Sequence, residues 1–245
     1  MSRTARASKL YRIRQERGEP ATMPIHLVRQ RIDQLHNLGL TTQMIAHAAS
    51  LDLTTIRNIE DRNTDHVRIE IAAKIWKVDH RPNPNQKLVP AIGARRRVRA
   101  LNALGWPTSE LAARHGLSKD SFNQSLRCKH ITYASWARVR DLYDELSGTP
   151  GPSDTSRKRA HADGHAPPLA WEGRDIDHPA AQPDWKAAGI KLADRPVCVN
   201  NHEYTPESTY LDTRGHRQCR RCRRAAEARK AAKRRTAEES PEKVA

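Results

Sequence analysis

A succession of short amphipathic segments occurs twice in this chain, 66 residues apart, and it constrains the fold more than any other feature. The clearer copy is RRRVRALNALGWPTSELAARHGLSKDSFNQSLRCKHITYASWARVRDLYDEL, residues 95–146. Val98, Leu101 and Leu104 recur at the spacing an α-helix needs to bury one stripe. Leu111 and Ala112 lie on a second, short helix, with the small Ala112 where a neighbouring helix crosses closely. Gly116 suits the turn that follows, because it has no Cβ to resist a left-handed backbone. Leu117 and Phe122 are expected to fill the wedge between this helix and a third, which Ser118 caps. Thr108, after Pro107, is placed to cap the second helix, and Trp106 to pack beneath the pair. Trp136, Val139, Leu142, Tyr143 and Leu146 form a supporting helix.

The earlier copy follows the same grammar. Ile32, Leu35 and Leu38 precede Gly39, which matches Gly105. Ile45 and Ala46 match Leu111 and Ala112, Ser50 and Leu51 match Gly116 and Leu117, and Ile56 matches Phe122. Val67, Ile71 and Ile75 supply the supporting helix, and one offset is expected throughout. A grammar repeated at one offset is a stronger signal than a single match. The expected fold class is mainly α: tandem helix-turn-helix units with a small zinc-binding C-terminal element. The expected layout is a basic arm over 1–25, a first unit over 26–77 and a second over 95–146. A linker, 78–94, is broken by Pro82, Pro84 and Pro90. A Pro/Gly-rich extension spans 147–195, a metal element with a basic helix 196–235, and a flexible tail 236–245. In the extension Leu169, Trp171, Ile176 and Trp185 are expected to dock on the second unit.

The formal net charge is +16. Such an excess calls for a polyanion, nucleic acid first and an anionic membrane surface second. No apolar run is long enough to span a bilayer, so a cytoplasmic location is expected. The third helix of each unit would offer its outer side chains to a major groove: Thr54, Thr55, Arg57 and Asn58 in one, with Asp61 at the far end, and Lys119, Ser121, Asn123, Gln124 and Arg127 in the other. The two faces differ, which predicts a monomer on a bipartite, asymmetric site in double-stranded DNA. Arg95 and Arg96 precede the reading helix and suit phosphates, as do Arg157 and Lys158 in the extension. Arg220, Arg221, Arg223 and Arg224 open a C-terminal stretch with eleven Lys/Arg and one Glu between Arg214 and Arg235.

Cys198-x3-His202 and Cys219-x2-Cys222 give three sulfurs and one imidazole, the donor set of a closed structural Zn²⁺ site. His216 competes with His202 for the fourth place. Cys128 stands apart as a free thiol. Asp177-His178-Pro179, with Asn200, Asn201 and His202 later, suggests a metal-dependent nuclease, but no strand-then-helix setting surrounds it. No enzyme is expected.

The two units, the segment YDELSGTPGPSDTSRKRAHADGHAPPLAWEGRDIDHPAAQPDW and the site CVNNHEYTPESTYLDTRGHRQCRRC together resemble helix-turn-helix DNA-binding proteins of actinobacterial phages, including immunity-repressor-like regulators. The resemblance is clearest over 95–224 and weaker over 28–77. It implies operator binding and transcriptional repression, on DNA within a bacterial host cell. A metal-dependent DNA endonuclease and an architectural or recombination accessory protein are the other roles these residues suggest.

Overall fold

Thr22–Pro24 form a strand, β1, inside the stretch that reads as a basic arm. It opens a unit that continues as α1 (Ile25–Asn37), α2 (Thr42–Ala48), α3 (Leu53–Asp61), β2 (His66–Arg68) and α4 (Ile69–Trp76). The same order returns as β3 (Leu88–Pro90), α5 (Ile92–Leu104), α6 (Thr108–His115), α7 (Lys119–Arg127), β4 (His130–Thr132) and α8 (Tyr133–Leu146). The computed structural model describes residues 16, 18, 20–61, 65–200 and 202–238. The arm up to residue 15, Asn201 and the tail beyond 238 lie outside the described residues. The fold is mainly α-helical.

The strand pairs were not legible in three-residue segments. In each unit the first strand runs antiparallel to the strand before the last helix, Met23 facing Val67 and Val89 facing Ile131. Backbone bonds extend each pair at both ends: Ile25 N to Asp65 O and Ile69 N to Ala21 O, then Ala91 N to Lys129 O and Tyr133 N to Lys87 O. The offset between copies is 66 residues through the third helix and 64 from β2/β4 onward, because the loop after α7 is shorter than that after α3. The expectation of one constant offset is corrected accordingly.

Apolar burial assembles both units. Val28, Leu35, Ile45, Ile56 and Ile75 are fully buried in the first, and Val89, Leu111, Ala112 and Phe122 in the second. Each large side chain so placed contributes roughly 1.5–3 kcal/mol. The turns after the first and second helices match in both copies. Gly39 and Gly105 have φ of 90° and 99°, while Ser50 and Gly116 have 51° and 84°. Leu51 N bonds Ala46 O, and Leu117 N bonds Ala112 O. Leu117 itself is 37% exposed. The wedge is filled instead by Phe122 with His115, whose ring lies 5.2 Å away. Ser118 caps α7 through the Ser121 amide. Thr108 does not cap α6; its hydroxyl faces the side chain of Asn102.

The extension is folded onto the second unit. It contains α9 (Asp154–Ala162) and two short 3-10 turns. Trp171, Ile176 and Trp185 pack on the outer face of α5 at Ala100, where a small residue allows close approach, while Leu169 stays exposed. Arg97 is buried and grips Asp177 with both guanidinium nitrogens at 2.7 Å; Trp136 Nε1 donates to the same carboxylate at 2.9 Å. Gly93 has to be glycine there, because an added Cβ would lie 1.7 Å from the Asp177 carboxylate. The linker is fastened to the first unit, where buried Gln86 donates to Met44 O at 3.1 Å and Arg31 donates to Val78 O at 2.6 Å, and to the extension, where His80 lies 2.8 Å from Asp175. Between the units His130 Nε2 lies 3.2 Å from Gly39 O. At the C-terminal end, β5 (Thr209–Leu211) and β6 (Arg217–Cys219) form a hairpin that runs into α10 (Arg220–Glu238). Among the described residues no helix is long and apolar enough to cross a membrane.

Candidate metal centre and nucleic-acid face

The metal centre is assembled by two junctions. Val197 and Glu203 form a bridge, and Cys198 N donates to His202 O, so a tight loop brings these two side chains together. Cys219 ends β6 and Cys222 sits in the first turn of α10, so the strand-to-helix junction supplies the other pair. The four donor atoms all lie within 4.8 Å of one another. His202 Nδ1 is 3.3 Å from Cys222 Sγ and 3.6 Å from both Cys198 Sγ and Cys219 Sγ. Tetrahedral zinc with bonds of about 2.0–2.3 Å sets its donors about 3.5 Å apart, so both spacing and donor chemistry fit.

The surroundings suit thiolates. Asn200 donates its backbone amide to Cys198 Sγ at 3.4 Å and its side-chain amide to Cys222 Sγ at 3.2 Å. Burial pushes the Cys219 thiol up, but the Cys222 amide and His202 outweigh it and bring it down to about 7. Cys222 moves the other way: Asn200 lowers it, and burial with the neighbouring sulfurs raises it further. A cation relieves this crowding by holding all the sulfurs deprotonated. His216 stands outside the cluster, 3.5 Å from Asp212 and largely exposed. Zinc bound here would supply folding energy to an element with almost no apolar core, and every coordination position would be a protein atom.

The residues of the nuclease alternative are distributed elsewhere. Asp177 is held by Arg97 and Trp136. His178 stands edge-on to His80, with ring centroids 4.6 Å apart, and its Nδ1 accepts from Ala180 N. His202 belongs to the metal cluster, and Asn200 donates to its Cys222 sulfur.

On α3, Thr54, Arg57 and Asn58 are exposed and Thr55 half-buried, behind which Ile56 and Ile59 are buried. On α7, Lys119, Ser121, Gln124 and Arg127 are exposed, Asn123 is half-buried, and Phe122 and Leu126 are buried. The arginines of α5 divide by role. Arg95 donates to Leu126 O and Cys128 O, anchoring the end of α7 as Arg29 anchors α3 through Ile59 O. Arg96 donates to four carbonyls of the extension, from Ile176 to Ala181, and stacks on Trp171. Arg157 is likewise turned inward, to Asp154, Leu104 O and Gly151 O. These three therefore have structural partners that the sequence did not reveal. Lys158, Arg221 and Arg224 are exposed. Arg220 and Arg223 stack on Tyr210, and Arg223 also pairs with Glu227.

Sequence reasoning missed the concavity beside α7. A groove of about 720 Å³ runs between α5, α7, the start of α6 and α9. Arg99, Lys119, Arg127 and Arg159 line it, with Asn102, Thr108 and Asn123. The signal for it was present as a charge difference between copies: Arg99 aligns with Asp33 and Arg127 with Asp61. Comparison of the chain with protein families, with curated proteins and with solved structures finds no match to any of them.

Proposed function

We propose that the chain binds double-stranded DNA in a sequence-dependent way, as a helix-turn-helix protein with α6–α7 as the principal reading pair and α2–α3 as a second, unlike one. The observation that carries this reading is α7. It is capped, anchored at its far end by Arg95, and presents Lys119, Ser121, Gln124 and Arg127 outward beside a cationic groove. A short, rigidly seated helix with amides and guanidinium groups on its open face is the element a major groove accepts. The linker is bonded to the first unit, and His130 of the second unit lies 3.2 Å from Gly39 O of the first, contacts that favour a bipartite site bound by a monomer. The basic α10, exposed along most of its length, adds sequence-independent attraction. By its resemblance to phage immunity regulators, the reading extends to repression through occlusion of a promoter.

Selection of bound sequences from a random duplex pool, followed by footprinting and mass measurement of the complex, tests this. One asymmetric footprint per monomer is expected. A palindrome occupied only by a dimer, or no enrichment over random sequence, overturns it. In the same assay Gln124→Ala should relax discrimination by about 1–3 kcal/mol at one position while leaving random-duplex binding unchanged.

A further inference from the structure

Thr42 and Thr108 open α2 and α6 at matching positions of the repeat. In the first unit the space beside Thr42 holds a carboxylate of the chain itself. Thr42 Oγ1 lies 3.3 Å from each Glu60 oxygen, and His36 Nε2 is 2.8 Å from Glu60 Oε1. In the second unit the counterpart of Glu60 is Leu126 and that of His36 is Asn102. The internal carboxylate is gone, and the open groove stands beside Thr108.

The charges around that place are inverted as well. Arg99, Lys119 and Arg127 line the groove where the first unit has Asp33, Leu53 and Asp61. A fourth cation, Arg159, comes from α9, which has no counterpart in the first unit. None of the four side chains makes a hydrogen bond or ion pair among the described residues. Arg95, turned to the carbonyls at the end of α7, and His165 add to the positive side; Asp163 is the one acid lining the groove. Desolvation in the groove and the adjacent Arg95 charge push the Arg99 guanidinium below its ordinary range, while Asp163 opposes them. Like charges gathered without partners destabilise one another, and an entering anion reverses that.

We propose that this groove seats a phosphate oxyanion at the place where the first unit holds its own Glu60 carboxylate. The Thr108 hydroxyl lines one end, and Arg99 and Arg159 approach from α5 and α9. Resting on the duplex reading above, the occupant is a backbone phosphodiester of DNA. The groove borders the reading helix on the side where Asn123 turns inward, so a seated phosphate fixes the register of α7 without reading a base.

The test uses full-length protein and a random-sequence duplex, because a phosphate contact does not depend on sequence. Binding is followed across a salt series for the wild type, Arg99→Asp, Arg159→Ala and Leu126→Glu. Lys186→Ala, an exposed charge outside the groove, is the control. The slope of log K against log salt should fall by about 1 for Arg159→Ala and at least as much for Arg99→Asp, and stay unchanged for Lys186→Ala. Leu126→Glu imports the first unit's carboxylate and should block the seat. Arg99 is exposed, so its variant reads the groove even if a glutamate at 126 disturbs packing. Wild-type affinity and slope in folded Arg99→Asp and Arg159→Ala overturn the seat and leave the duplex reading standing. If the wild type binds no duplex, that reading and the phosphodiester occupant both fall. Titration with inorganic phosphate then decides the rest. Amide shifts at Thr108 and Arg99 that vanish in Arg99→Asp support a seat for free phosphate, and their absence overturns the seat too.

Discussion

The two helical units share strand register, turn geometry and an anchoring arginine, yet their charges diverge. Residues 26–77 carry seven Lys/Arg against six Asp/Glu, and residues 95–146 carry ten against five. The shared features are those that set the backbone: Met23–Val67 and Val89–Ile131 pairing, the left-handed turns, and Arg29 and Arg95 on the carbonyls of the third helix. The divergent features lie on faces that packing leaves free. The first unit closes its helix start with Glu60, whereas the second opens a cationic groove there. The two copies therefore share a scaffold and differ in the charge of their surfaces.

The largest expected effect separates both helical units from the C-terminal element. Each unit has a buried apolar cluster of its own, while the element around Cys198 has little apart from its ligands. Chelation should therefore remove metal-binding free energy on the order of 10–16 kcal/mol from residues 196–222 and nothing from the units. Amide exchange should show protection lost across the β5–β6 hairpin and kept at Leu35 and Leu111. Equal loss in all three regions would show that the units depend on the metal.

Arg31 and Arg97 occupy matching positions, and truncating each sharpens the contrast next. Arg97 is buried against Asp177, so Arg97→Ala leaves a buried carboxylate uncompensated and should cost about 3–5 kcal/mol. Arg31→Ala removes one bond to Val78 O and a peripheral contact with Gln34, for roughly 1 kcal/mol. Urea unfolding at constant pH reads both. Similar costs at the two positions would refute a special role for Asp177 in fastening the extension.

The helices of both units were legible because their apolar spacing repeats, as was the metal cluster, whose ligand types and spacing point to one chemistry. The strands were not: Thr22–Pro24 and Leu88–Pro90 are too short to show alternation, and each ends in proline. The partners of Arg96, Arg97 and Arg157 were hidden for a different reason. A basic run looks the same in sequence whether its donors meet solvent or, as with Arg96 and Arg97, the carbonyl and carboxylate oxygens of a segment 80 residues away. Asp177 drew attention as a chemical residue and serves as the partner of a buried arginine. The groove required both copies to be compared at the level of charge, because Arg99 acquires meaning only against Asp33.

Acid should act on the two units in opposite directions. Burial lowers the His36 pKa, but the bond to Glu60, the Leu40 carbonyl and the Glu60 charge outweigh it, and the folded value lies above 6.5. Its stabilising contribution is complete below the unfolded value and is lost as pH rises through the folded one. Burial lowers His115 below 6.5, with Arg138 adding to the effect and the Ser135 carbonyl opposing it. Its contribution is complete above the unfolded value and is lost as pH falls through the folded one. Between pH 7.5 and 5.5, exchange protection should rise in the first core and fall in the second. His36→Gln and His115→Gln should each abolish the trend in its own unit; a parallel trend in both would mean that other groups dominate.

The smallest effect concerns the turn between the second and third helices, where the copies differ by one side chain. Ser50 adopts φ of 51° and Gly116 φ of 84°, and both turns are closed by the same backbone bond from the following leucine. A left-handed residue with a Cβ costs about 1–2 kcal/mol. Glycine avoids that but loses roughly 0.5–1 kcal/mol more chain entropy on folding. Ser50→Gly should therefore stabilise the first unit by about 0.5–1 kcal/mol, the net of these two effects. Gly116→Ser should destabilise the second by a similar amount. No atom lies within 4 Å of the Cβ position at Gly116, so the backbone alone sets this cost and packing adds nothing. Matched urea titrations of the two variants measure both shifts. If Ser50→Gly brings no gain while Gly116→Ser costs the expected amount, the Ser50 hydroxyl contributes a stabilising contact of its own, and the two turns are equivalent in shape but not in energy.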